Sequence, residues 1–514
     1  MNFTVIFILC FILFYYSLSG DQWRILSRAR VIVLRYFSEI DSPFNLAIFR
    51  IIFFSFILTQ IHGISRTALW YSHLPTAFRF PPVGMKHILS VLPITPDLVS
   101  KAVIFFTVSC FLALVGCCGR VSSLLAALSG IYVLGISQFY GKVDHDHHLI
   151  WFMLILGVSR CSDVLSIDAI VQAWRDVNQG YDPKPQRSVG YALPLRFIWL
   201  LFGLIYFFPG FFKFFMSYGL WAWSDNLKYL MYASWFDNGG WLPFFRLDHY
   251  PLLYKLCASG VILFELSFIF LILSPKLRNI AVVSGLIFHM MTDLLMRISF
   301  YNLQICYVVF IDWAGLFNKM SLKIIKKPLA WRYNQAGRFH QWLMVVAVKF
   351  DILNCIGLEG EFKTPLRPSA NQLLVKIVGS GLLLINSFFG FHEIMNGWPF
   401  ACYPTFGDRL TEAKTDTITA YGLLGDKEET ISFDVIKQGM ELSNFSGLIQ
   451  SILQMRDTEQ RMIKLKTLLA VMKQSGIDLS KYSKIRFYKT VYSTQPGRFD
   501  DPPLSKELLV EIGH

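Results

Sequence analysis

ALPLRFIWLLFGLIYFFPGFFKFF, residues 192–215, decides how this chain is read. About twenty apolar residues suffice for a helix to cross the hydrocarbon core of a bilayer, and this run exceeds that. It carries a cation near its far end, Lys213, inside Gly210-Phe211-Phe212-Lys213-Phe214-Phe215. An amine held neutral in such surroundings is a base. A lysine that snorkels to the headgroups and only marks the helix end is the structural alternative.

The rest of the chain fits a membrane setting. Of 514 residues, 54% are hydrophobic and 16% charged, and the mean hydropathy is +0.46. Those values describe a polytopic membrane protein rather than a soluble domain. The 47 Phe, 22 Tyr and 13 Trp agree, since Trp and Tyr favour bilayer interfaces. The net charge of +13 does not mark a nucleic-acid binder, because no basic stripe interleaves with aromatics on a soluble segment. Nine Cys are scattered with no CxxC pair, which implies neither a zinc site nor a disulfide framework.

Apolar runs predict spans near 2–19, 43–62, 99–118, 122–140, 148–160, 192–215, 252–274, 280–296, 300–317 and 373–391. The fold class is therefore an all-α polytopic bundle of about nine or ten transmembrane helices. Loops 20–42, 119–121, 160–191, 275–279 and 318–372 hold about twenty Lys and Arg, against about seven in the alternate loops. The first set is expected on the cytoplasmic side. Residues 1–42 read as an uncleaved anchor followed by a basic amphipathic segment on the inner surface. The transmembrane domain runs over 43–391, and both chain ends fall outside. Residues 392–514 turn charged, with alternating segments at 430–436 and 484–492 around a helical pattern at 456–475. They predict a small soluble α+β domain, extracytoplasmic, with a scaffold or partner-contact role.

Ionisable residues inside spans are costly and usually functional. Arg50 lies well inside the second span, where an ion pair or lipid-headgroup contact is the structural reading. Asp144-His145-Asp146-His147-His148 opens the fifth span. Its single His cluster falls short of the several boxes of membrane di-iron enzymes, so no metal is expected and a polar helix start is the alternative. His289 lies mid-span with Asp293 at i+4 to orient it and Arg297 to pair with Asp293 in turn. A packed core histidine fits the same pattern. The topology puts Lys213, His147 and His289 toward the outer half, where three proton-active groups would form an acid–base site.

These residues resemble a known family. NLAIFRIIFF (45–54), the polar turn Asp146-His147-His148, Ser166-Ile167-Asp168-Ala169, Gly210-Phe211-Phe212-Lys213 and Phe288-His289-Met290-Met291 follow one another as in vitamin K-dependent gamma-carboxylase and the related HTTM proteins. The resemblance covers roughly residues 40–320. It implies that Lys213 is the weak base, that His147 and His289 assist, and that Arg50, Asp146, Asp168 and Asp293 are supporting polar groups. It also implies reduced vitamin K or another quinol as cofactor, with carbon dioxide and oxygen as co-substrates. The implied partners are membrane lipid and a protein or peptide substrate on the extracytoplasmic side, with no nucleic acid. Phe212 stands where the family has the first of two lysines, and only about 120 residues follow the last span. A non-enzymatic lipid- or quinone-binding scaffold is the second reading.

Overall fold

The computed structural model describes residues 34–85, 92–141, 146–179, 187–321, 342, 370–402, 406–440 and 442–513. The expected anchor at 2–19 and most of the basic loop 318–372 lie outside the described residues. Pro43–Ser72 (α1) starts where the Ser42 side chain accepts from the Phe44 amide and Pro43 occupies the first turn, the arrangement helix starts favour. Pro96–Val115 (α2) ends at Gly116 in the left-handed conformation. Gly119–Val133 (α3), His147–Val158 (α4), Ile167–Asn178 (α5), Val189–Phe215 (α6), Asn226–Asp237 (α7), Pro251–Leu271 (α8), Arg278–Met296 (α9), Trp313–Ser321 (α10) and Ala370–Phe391 (α11) follow.

Among the described residues, seven helices are long and apolar enough to cross a membrane: α1, α2, α3 with its short extension to Phe139, α6, α8, α9 and α11. Two of the expected spans differ. α4 has only 12 residues. The segment expected at 300–317 breaks into Tyr301–Gln304, a 3-10 stretch Ile305–Phe310, and α10. α4 and the Ile305–Phe310 stretch are mostly buried in the bundle, so apolar composition there records protein burial rather than lipid exposure.

α6 is the hub. In its most apolar window 78% of the residues are buried, against 22% for α9 and 28% each for α8 and α11. Close approach is made at glycines. A side chain at Gly203 or Gly210 would run into Ile269 or Glu265 of α8. On α11, Gly379 and Gly390 make room for Phe197 and Phe208 of α6. Small residues let membrane helices pack backbone to backbone, where packing replaces the missing hydrophobic drive. Leu263 and Phe270 on α8, Leu286 and Met290 on α9, and Leu384 and Phe388 on α11 remain exposed apolar residues, as expected of a lipid-facing rim.

The C-terminal region is α+β: the alternating segment at 484–492 lies in a strand and the helical pattern at 456–475 in a helix, whereas 430–436 holds only the end of a strand and then the start of the short helix Asp434–Gly439. Lys414–Leu424 (β1), Lys427–Ile431 (β2), Lys484–Ser493 (β3) and Ser505–Gly513 (β4) form an antiparallel sheet in the order β2-β1-β3-β4. Leu442–Gln454 (α12) and Thr458–Gln474 (α13) cover one face, burying Leu448, Leu465 and Leu468 with Ile418 and Phe487. This unit docks on the end of the bundle formed by the C-terminus of α1 and the α3–α4 turn. Asn444 donates to the Tyr71 hydroxyl at 2.9 Å, Ser451 to the Gly141 carbonyl at 3.1 Å, and Lys464 to the Arg79 carbonyl at 2.9 Å. Gly141 has φ 96°, and a Cβ there would lie 2.5 Å from the Leu448 backbone.

Two predictions follow from this packing. Gly141→Ala combines backbone strain with a clash against backbone, so it should loosen the docked domain by about 1–3 kcal/mol. Limited proteolysis should then cut between 392 and 414 faster than in the parent protein; an unchanged cleavage pattern would count against this docking. On the exposed face of the sheet, hydrogen bonds from Lys506 (2.6 Å), Tyr488 (2.7 Å) and Arg486 (3.1 Å) hold the Glu428 carboxyl down to about 2. Its folded pKa lies below its unfolded value, so its contribution is present above about pH 4.5 and lost as pH falls toward 2. Glu428→Gln should therefore cost most stability at neutral pH, with the difference closing by pH 2 when protease resistance is followed across that range.

Candidate functional site

The buried ionisable groups separate into two ends of the bundle. At one end, Arg50 is fully buried and donates to the carbonyls of Cys161 (2.8 Å) and Leu165 (2.6 Å). Asp168 accepts from the amides of Cys118 (2.8 Å) and Gly119 (2.7 Å), which caps the start of α3. Ser166 accepts from the Ala169 amide at the start of α5. Gly116 lies against both Ser166 and Arg50. A carboxylate at a helix N-terminus and a guanidinium on free carbonyls satisfy backbone groups that the helices leave unpaired. Arg50 and Asp168 thus tie α1, α3 and α5 together. They stand apart from Lys213.

Lys213 is 2% exposed and its ammonium lies 2.5 Å from Glu265 Oε1, a carboxylate 3% exposed on α8. The antiparallel approach of α6 and α8 at Gly210 makes this reach possible, because Gly210 packs directly on the Glu265 Cβ. Trp221 closes the pair from the chain that follows α6. Its ring centroid is 5.2 Å from the ammonium, and its indole N–H donates to the Phe406 carbonyl at 2.8 Å. Glu265 Oε2 has no hydrogen-bond partner among the described residues.

Seven residues back, on the same stripe of α6 as Gly203, Gly210 and Lys213, lies Tyr206. Its hydroxyl is 2.5 Å from His289 Nε2 and 2.7 Å from the Tyr307 hydroxyl. His289 Nδ1 has no partner among the described residues. The expected i,i+4 orientation of His289 by Asp293 is not formed. Asp293 instead accepts from the Ser299 hydroxyl, and Arg297 lies over the Trp241 ring at 4.4 Å. Seven residues of helix rise about 10 Å, so the Lys213–Glu265 pair and the Tyr206–His289–Tyr307 set are neighbours along one face of α6.

His147 and Asp146 are placed differently. His147 Nε2 is 3.1 Å from the Gly397 carbonyl, and its ring packs against Trp398 at 4.7 Å. Asp146 accepts from Asn302 Nδ2 at 2.6 Å, and the Asn302 carbonyl is 3.0 Å from His148 Nε2. Asp146 and Asn302 line a cavity of about 170 Å³ with Phe56, Gln60, Thr67 and Ser137. Asn302 and Tyr307 belong to the same short segment, which therefore links the cavity wall to the tyrosine pair.

Sequence reasoning missed Glu265, Tyr206, Tyr307 and Asn302. Glu265 had a signal: it is the lone acid in an otherwise apolar run, Val261-Ile262-Leu263-Phe264-Glu265-Leu266. The tyrosines had none, in a chain with 22 of them. The fold defines a multi-pass helical membrane class by helix length and composition. No family profile, curated protein or solved structure matches the chain.

Removing one partner of a buried pair strands the other charge. Lys213→Met alone should cost about 3–5 kcal/mol, while Lys213→Met with Glu265→Met should recover most of it. Thermal unfolding of the four cycle members in one detergent checks this; additive single effects would show that the two groups are not coupled.

Proposed function

We propose that this chain is an integral membrane enzyme that performs acid–base chemistry on a quinol-like substrate, in the manner of the gamma-carboxylases it resembles. The observation that carries the reading is the Lys213–Glu265 pair buried between two membrane-length helices. Taking two charges out of water costs several kcal/mol per ion, and an apolar pair of similar size packs at least as well. Such a pair is poorly explained by stability and well explained by use.

The ammonium donates to Glu265 Oε1, and Oε2 remains an open acceptor. A hydroxyl brought to that oxygen can lose its proton to the pair without placing a net charge in the apolar interior. Tyr206, on the same face of α6, bonds both His289 on α9 and Tyr307 on the 305–310 segment, a separate set whose hydroxyls can donate and accept together. The cavity lining suits a ring with hydroxyl groups: Asp146 and Gln60 offer acceptors, and Phe56 offers an apolar wall. A reduced quinone would supply the acidic hydroxyl and, with oxygen, a stronger base; Lys213 and Glu265 do not line this cavity, so a ring held there would have to move to the pair to be deprotonated; carbon dioxide is the co-substrate the resemblance implies. Asp146, Asn302 and Gln60 would hold its head. His147, bonded to the Gly397 carbonyl, holds the loop that follows α11 against α4 and so positions that wall. In this reading the sheet domain lies on the extracytoplasmic side and presents a protein or peptide acceptor.

The second reading, a lipid- or quinone-binding scaffold without turnover, is favoured by the closure of Lys213 under Trp221. Purified protein given reduced vitamin K, oxygen and bicarbonate separates the two. The enzyme reading predicts quinol oxidation that falls about 100-fold or more in Glu265→Gln and in Lys213→Ala. Quinol retained without oxidation, or oxidation unchanged in both variants, would sink it.

A further inference from the structure

A second buried cationic site lies at the other half of α6, away from Lys213. Arg196 is 5% exposed. Its guanidinium carbon is 4.1 Å from the Trp199 ring centroid and 5.0 Å from that of Tyr36. Arg278, at the start of α9, lies over the same Trp199 ring at 3.9 Å. Both guanidiniums therefore stack on the one Trp199 ring. Their acidic neighbours are few. Glu39 pairs with Arg196 Nη2. Asp41 is within electrostatic range of both arginines, but its Oδ1 is taken by the Ser42 amide and Asn45 Nδ2, each at 2.7 Å. Arg278 Nε donates to the Ile272 carbonyl at 3.2 Å. Three buried donors are left with no hydrogen-bond partner among the described residues: Arg196 Nε, Arg196 Nη1 and Arg278 Nη2.

Open guanidinium donors away from water are expensive, and two cations beside one ring add mutual repulsion. Aromatic stacking offsets part of this cost and satisfies no N–H. Glu39 bonds Arg196 at Nη2 alone and leaves the other donors of the fork unbonded. The group that satisfies several N–H donors on two guanidiniums at once is a tetrahedral oxyanion, with N–H···O contacts of about 2.8 Å on either side. We propose that Arg196 and Arg278 form a binding site for a phosphate group. The site opens where the Glu39 side chain is 38% exposed. Leu34, Leu277 and Ile280 are exposed nearby in sequence, which suits a phospholipid headgroup with its acyl chains along the apolar flank. Free phosphate presents the same chemistry.

The full chain in neutral detergent, followed by thermal unfolding, tests this with three probes: phosphatidylglycerol, diacylglycerol of the same acyl chains, and inorganic phosphate. Phosphatidylglycerol should raise the midpoint above diacylglycerol, and Arg278→Gln should weaken that response at least about tenfold, the worth of one charge-assisted hydrogen bond. A matching rise with inorganic phosphate assigns the site to the free ion; a rise with lipid alone assigns it to the headgroup. Arg196→Gln should abolish the response. If that variant does not fold, Arg278→Gln decides, because its side chain sits on the rim. Equal midpoints with all three probes, or a full response retained in Arg278→Gln, would overturn the proposal and leave the cluster as a closed structural latch.

Discussion

The close approach of α6 to α8 and α11 is the constraint on which the bundle depends. In a bilayer, helices gain nothing from hiding apolar side chains from lipid, so contact distance and shape complementarity must hold them together. Gly203 and Gly210 bring α8 in, while Gly379 and Gly390 admit Phe197 and Phe208 against α11. One consequence is structural: α6 is enclosed while its neighbours face outward. The other is chemical. Without the notch at Gly210, the Lys213 ammonium and the Glu265 carboxylate would not meet at 2.5 Å.

The same enclosure explains the division of polar groups. Arg50 and Asp168 satisfy carbonyls and amides near helix ends, although Arg50 Nε keeps no hydrogen-bond partner among the described residues. Lys213 and Glu265 bond each other, and His289 bonds a tyrosine. Those groups satisfy no helix end, and two of them keep an open buried atom. An interior polar group that completes no backbone is the kind that chemistry explains better than stability does.

Much of the fold was legible in the sequence, because spans are long and their apolar composition is a strong signal. The compositional change near residue 392 was plain, and so was the strand at 484–492, but alternation misled at 430–436, where the chain leaves a strand and enters a short helix. Composition failed where burial comes from protein instead of lipid: 148–160 and 300–317 are as apolar as spans, yet form a short helix and a broken one. The site was legible only in its cations and imidazoles. Lys213 stood out as a charge among aromatics, but its partner lies 52 residues away, and no spacing rule links positions on separate helices. Asp293 misled for the complementary reason. Helical periodicity puts it beside His289, while the tertiary neighbour Tyr206 takes the imidazole.

The central claim is that the Lys213–Glu265 pair exchanges a proton with a bound hydroxyl. Infrared difference spectroscopy on the purified protein, recorded as reduced vitamin K is added, tests it most directly. The account predicts a change in a protonated-carboxyl band that disappears in Glu265→Gln. No carboxyl band, or the same band in both proteins, would contradict it.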